Sequence, residues 1–173
     1  MNWERIAANI EAVKERINNR CQQNSINPTG ITIIGITKGF PAEAATAAIK
    51  AGLRDLGENK IQEAGIKILL VDPRPKWHMI GHLQKNKVKK ALEIFDCIQS
   101  VDSLELADMI SDYSMKSNKT AEIYLQVNSS FEKSKSGFNP NEILSKAEEI
   151  KRLGGLKICG LMTIGPIIKN THL

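Results

Sequence analysis

The stretch ITIIGITKGF, Ile31 to Phe40, decides the fold. Six of its first seven residues are Ile or Thr, interrupted only by Gly35, which is the composition of a strand buried on both faces of a parallel sheet. The run ends on Lys38, and Gly39 and Phe40 lead into Pro41, which opens the Ala-rich helix PAEAATAAIKAG with Gly52 as its stop. A lysine at a strand end is ordinarily a solvated terminus. At the C-terminal end of a parallel strand it is also where a functional amine would sit. Taken alone, Ile31–Lys38 leaves both readings open.

Outward from this strand, helical and strand patterns alternate along the chain. A leading helix carries Trp3, Ile6, Ile10, Val13 and Ile17 on one stripe and is broken by NSINPTG. Beyond Ile31–Lys38 the expected strands are RDLGEN, KWHMIGHL, CIQSVD, AEIYLQVN and LKICGLMTIG. Helices PAEAATAAIKAG, KIQEAGIKILLV, QKNKVKKALEIF, SLELADMISDYSMKS and NPNEILSKAEEIKRL separate them, with Ser103 as an N-cap and Pro140 opening the last. Regular βα repetition leaves a doubly wound sheet or a (β/α) barrel. No G-x-G-x-x-G follows any strand, so a dinucleotide site has no support. In a barrel the functional residues gather at the C-terminal strand ends. Those ends are polar here: Lys38, Glu58 and Asn59, His82 and Gln84, Asp102, Asn128.

The bulk properties are those of one globular domain spanning residues 1–173, 42% hydrophobic and 25% charged with a net charge of +5. No apolar run reaches the length of a membrane span, and the charged N-terminal helix is unlike a signal peptide. Cys21, Cys97 and Cys159 lie far apart without a CxxC pair, which fits reduced thiols in the cytoplasm and argues against a disulfide framework or a zinc site. Lys85, Lys87, Lys89 and Lys90 form a basic run on one helix without interleaved aromatics, a solvated face and not a nucleic-acid platform.

The segments ITKGF, LGENKIQE, WHMIGHLQKNK, IQSVDS, LQVNSSFEKSKSGF and ICGLMTIG resemble, in this order, the pyridoxal-phosphate homeostasis proteins, single-domain relatives of the alanine racemase barrel domain. The resemblance runs from the first strand to about Pro166, and GEN..QE followed by WH.IG.LQ.NK is its most specific part. It implies a TIM-type (β/α) barrel in which Lys38 holds pyridoxal 5′-phosphate as a Schiff base (an aldimine), with Asn59 bonding the ring oxygen without adding charge. Schiff-base chemistry needs a transiently neutral amine, and half-burial of Lys38 above inward-facing Ile34 and Ile36 would favour that form. His82 is a weaker candidate for the site mouth, as are Lys133 and Lys135 in the loop after the fifth strand. His78, placed mid-strand, reads first as a structural histidine.

Family members carry two further βα units after the sixth strand, with segments that hold the cofactor phosphate, whereas PIIKNTHL follows it here. The expectation is therefore an incomplete barrel with six of eight strands, C-terminally truncated, whose first and sixth strands are open edges prone to self-association. Its function is non-catalytic cofactor binding in vitamin B6 homeostasis. Two alternatives stand beside it. One is a racemase-like enzyme, which needs a second acid–base group where only Tyr113 and Tyr124 are on offer. The other is a fragment that no longer retains cofactor.

Overall fold

The computed structural model describes residues 3–132 and 135–165. The chain divides into two compact units, Met1–His78 and Met79–Leu173. The first holds α1 (Glu4–Gln23), β1 (Ile34–Ile36), α2 (Ala42–Lys50), β2 (Asp55–Glu58) and α3 (Ile61–Leu70), and it runs into β3 (Lys76–Met79). The second holds α4 (Val88–Ile94), β4 (Cys97–Val101), α5 (Leu104–Lys116), β5 (Ala121–Val127), α6 (Ile143–Lys151) and β6 (Leu156–Thr163). The strands follow one another in the sheet in the order β1-β2-β3-β4-β5-β6. A doubly wound sheet reverses its order at a switch point, and this one does not, which leaves the barrel class of the two architectures. The pairs β1–β2, β4–β5 and β5–β6 are parallel.

In the first unit, β1 is much shorter than the Ile31–Lys38 strand expected from sequence. Turns trim it at both ends. Asn27 caps a short 3-10 turn at Pro28–Gly30, and the Ile31 N–H closes on the Pro28 carbonyl at 3.0 Å. At the other end the Phe40 N–H bonds the Thr37 carbonyl at 3.1 Å, folding Thr37–Phe40 into a β-turn. Ile36 is 45% exposed, so the apolar layer expected beneath Lys38 is not formed by it. The α1 stripe is likewise only partly covered, with Ile10 buried and Val13 exposed. The core of this unit is Ala45 and Ala48 of α2, Leu53, Leu56 of β2, Ile61 and Ala64 of α3, and Trp77 of β3. Gly35 has no room for a side chain: an added Cβ would stand 2.8 Å from a Leu53 methyl.

The second unit follows the sequence reading more closely. Ser103 caps α5, its Oγ accepting the Leu106 N–H at 3.3 Å. Val101, Ile110, Ile123, Leu125 and Ile150 are fully buried and join β4 and β5 to their covering helices. Helix α6 begins at Ile143, not at Pro140, because Asn139 first forms an Asx turn, its side chain taking the Asn141 N–H at 3.0 Å. After β5, Phe138 returns to the strand through bonds from its N–H to the Gln126 carbonyl (2.8 Å) and from Asn128 N–H to its own carbonyl (3.0 Å).

Gly137 makes that return possible. Its φ is +135°, and a Cβ there would lie 2.6 Å from the Asn128 nitrogen. Gly137→Ala is expected to destabilise the chain by about 1–3 kcal/mol in urea unfolding, with faster hydrogen exchange at Asn128 and Phe138. Wild-type stability and exchange would show that the loop tolerates a side chain there.

Candidate functional site

The polar strand ends of the first unit form a connected group. Ile36 pairs with Gly57, and the Thr37 N–H bonds the Gly57 carbonyl at 3.1 Å. Lys38, two residues past β1, and Asn59, one residue past β2, therefore lie beyond the ends of two neighbouring parallel strands. Thr37 turns inward and is buried. Lys38, next in the chain, is exposed at the second position of the turn, and Asn59 is half-buried. The half-buried amine expected from sequence is corrected here: β1 stops two residues before Lys38, so the side chain stands at a turn and not within a layered strand end.

Beneath the turn lies a buried ionic group. Glu58, at the end of β2, is 0% exposed, and Lys67, on α3, is 5% exposed. The Lys67 Nζ donates to Glu58 Oε1 at 2.5 Å and to the Thr37 carbonyl at 2.7 Å, while the Thr37 hydroxyl donates to the same Oε1 at 2.6 Å. Glu58 Oε2 is buried and has no hydrogen-bond partner among the described residues. One turn earlier on α3, Glu63 Oε2 accepts the Gly39 N–H at 3.1 Å, and Lys60 Nζ lies 3.2 Å from Glu63 Oε1. The Gly39 N–H, reinforced by Lys60, holds the Glu63 carboxyl below the usual carboxylate range.

Lys67 was not among the residues singled out from sequence. The signal was available: Ile61, Ala64 and Lys67 fall at i, i+3 and i+6 and are the buried positions of α3, so a lysine stands on the apolar face. His78, by contrast, is the structural histidine expected, buried with Nε2 2.9 Å from Asp55 Oδ1.

The remaining candidates lie in the second unit. His82 falls beyond β3, exposed, with Nδ1 3.3 Å from Asp102 Oδ2 at the end of β4. Lys85 pairs with Glu105 on α5, and Gln84 is exposed. Lys135 Nζ is engaged by Glu132 Oε1 at 2.8 Å and the Gly165 carbonyl at 3.2 Å. Asn128 ties the same loop, donating to the carbonyls of Glu132 and Lys135. Lys133 and the segment from Pro166 onward lie outside the described residues. Among the described residues, no cluster of His, Cys, Asp and Glu is placed to hold a metal, and no helix is long and apolar enough to cross a membrane.

A cleft of about 410 Å³ in the first unit borders the turn at Thr37 and Phe40 and is lined by Trp3, Ile6, Ile10 and Ile36 among others. No charged side chain of the described residues lines it, so those residues offer no cationic partner for a phosphate ester. The group that suits a carbonyl-bearing ligand is the other one: a primary amine on an exposed turn, with a neutral amide at the adjoining strand end.

Comparison with known proteins defines the class first. The family model described as alanine racemase, N-terminal domain, matches residues 1–172. The pyridoxal phosphate homeostasis protein of Pseudomonas aeruginosa is 39% identical over 160 residues, covering 92% of this chain and 70% of its own. A crystal structure of an unknown protein from Bifidobacterium adolescentis superposes with a TM-score of 0.88 at 33% identity, over 97% of this chain and 72% of that one. The PipY protein of Synechococcus elongatus, solved with PLP bound, gives 0.74 at 33% identity over 87% and 71%. The chain belongs to the pyridoxal phosphate homeostasis proteins, a family built on the alanine racemase N-terminal domain, a barrel of the TIM type.

The buried pair yields a stability test. Lys67→Met strands the Glu58 carboxylate in the core and is expected to cost about 3–5 kcal/mol in urea unfolding, whereas the double variant Glu58→Met/Lys67→Met recovers most of that loss. A small effect of the single variant would mean that Glu58 is not held charged and dry.

Proposed function

We propose that this chain is a single (β/α) domain that binds pyridoxal 5′-phosphate without turning over a substrate, holding it covalently through Lys38 in vitamin B6 homeostasis. The observation that carries the reading is the exposed Lys38 amine at the end of β1, beside Asn59 at the end of β2, in a chain 33% identical to a protein solved with PLP. When bound, the cofactor supplies an electrophilic aldehyde carbon for a lysine amine to attack. Lys38 provides that amine. Asn59 provides an amide that donates or accepts at a ring oxygen without placing a charge beside it. Glu58 and Lys67 stay inside and hold the peptide from which Lys38 projects.

His82 and Lys135 each already have a partner within the second unit, and the reading rests on Lys38 and Asn59 without them. The reading as a binder without turnover is supported by the 39%-identical relative, whose name is that of a homeostasis protein. Cys21, Cys97 and Cys159, none of them in a disulfide, support a reducing, cytoplasmic setting. Exposed Leu161 and Ile164 at the β6 end support self-association as the accompanying partner reading, for sedimentation to test.

Titration of the purified chain with pyridoxal 5′-phosphate is expected to generate a visible absorbance band that Lys38→Ala abolishes. Asn59→Ala should retain the band with affinity lowered by about tenfold, the value of one hydrogen bond. An undiminished band in Lys38→Ala would overturn the assignment.

A further inference from the structure

The two residues flanking Lys38 are both held by side chains of one helix. Thr37, just before it, gives its carbonyl to Lys67 at 2.7 Å; Gly39, just after it, gives its N–H to Glu63 at 3.1 Å. Glu63 and Lys67 are four residues apart on α3 and so share a face one helical turn in length. The rest of the turn is equally constrained. The Thr37 N–H is bonded to Gly57, its hydroxyl to Glu58, and its carbonyl also receives the Phe40 N–H. Gly39 has φ +74°, the left-handed conformation that a type II turn demands at its third position. Lys38 projects to solvent between two residues whose backbone is held.

We propose that α3 is a two-point clamp on this turn, with Glu63 and Lys67 as positioning residues that aim the Lys38 amine; this rests on the reading of Lys38 given above. Fixing the backbone before and after Lys38 confines the search of its side chain to rotation about its own bonds. Restricting the amine in this way raises its effective concentration at a bound carbonyl without altering the amine itself. The same three carboxylate and amine groups, Glu58, Glu63 and Lys67, fall within ten residues of GENKIQEAGIK, so one strand-to-helix segment carries the whole device. A buried ion pair is weak evidence for stability, but it is well suited to specifying one geometry. The bonds from Lys67 and Glu58 converge on a single residue, Thr37, which is what such specification requires.

Glu63 is the position to test, because it lies at the surface and its removal leaves the buried pair intact. Three variants are compared with wild type. Glu63→Ala removes the acceptor for the Gly39 N–H, Glu63→Gln keeps an oxygen there, and Glu93→Gln changes an unrelated exposed ion pair on α4. Two quantities are measured: hydrogen exchange of the Phe40 amide in ligand-free protein, and the rate at which added pyridoxal 5′-phosphate produces the Lys38-dependent absorbance band. Glu63→Ala is expected to speed exchange and slow the band by about tenfold each, the worth of one hydrogen bond to a charged group. Glu63→Gln should recover most of both, and Glu93→Gln should match wild type. Acetylation of Lys38 by acetic anhydride, which needs no positioning, should be the same in all four proteins.

If wild type forms no Lys38-dependent band, the cofactor reading fails, and the clamp is judged on Phe40 exchange alone. Unchanged exchange in Glu63→Ala would then overturn it. If wild type forms the band and Glu63→Ala forms it at the wild-type rate, the positioning role is overturned while the cofactor reading stands.

Discussion

The ion pair between Glu58 and Lys67 is the constraint around which the first unit is arranged. Burying both charges is costly, and their attraction offsets that cost only when geometry is good and the remaining hydrogen-bonding groups find partners. Lys67 meets this requirement with Glu58 and the Thr37 carbonyl, and Glu58 meets it in part, its Oε1 shared by Lys67 and the Thr37 hydroxyl while Oε2 has no partner among the described residues. Each bond reaches a different element: the end of β2, the end of β1, and the inner face of α3. A hydrophobic trio could fill the same space, but it would leave the height and direction of the Thr37 peptide unspecified. The polar group specifies them, and Lys38 is the next residue along.

This divides the work between a rigid backbone and a free side chain. Lys38 can reach a ligand from solvent because nothing in β1 covers it, and the turn beneath it is held by bonds to the strand and the helix. Asn59 joins on the adjoining strand, one residue past buried Glu58, where an uncharged amide is compatible with a carbonyl ligand. Glu63 adds a carboxylate kept ionised by the Gly39 N–H and by Lys60. That contribution is present at pH values above the usual carboxylate range and lost only as pH falls below it.

Much of this was legible in the sequence, and the failures have physical causes. The order of elements followed from periodicity and turn residues, and Lys38 and Asn59 stood out as polar residues ending apolar runs. The length of β1 was not legible, because propensity favours extending a run of Ile and Thr. The turns closed by Pro28–Ile31 and Thr37–Phe40 win over that preference. The exposure of Ile36 and of Lys38 follows from the same shortening. Lys67 was hidden for another reason: a lysine in KIQEAGIKILL reads as the polar side of an amphipathic helix until its register with Ile61 and Ala64 is counted. Asn128 shows the converse. It ends a strand as a site residue would, yet its amide is committed to the carbonyls of its own loop.

The central claim is that Lys38 is where this chain meets its cofactor. The most direct measurement is borohydride reduction of the chain after incubation with pyridoxal 5′-phosphate, followed by peptide mass mapping of the modified lysine. One dominant pyridoxyl adduct is expected, on Lys38 in the peptide containing ITKGF. An adduct mainly on Lys135, or label spread evenly over the surface lysines, would contradict it.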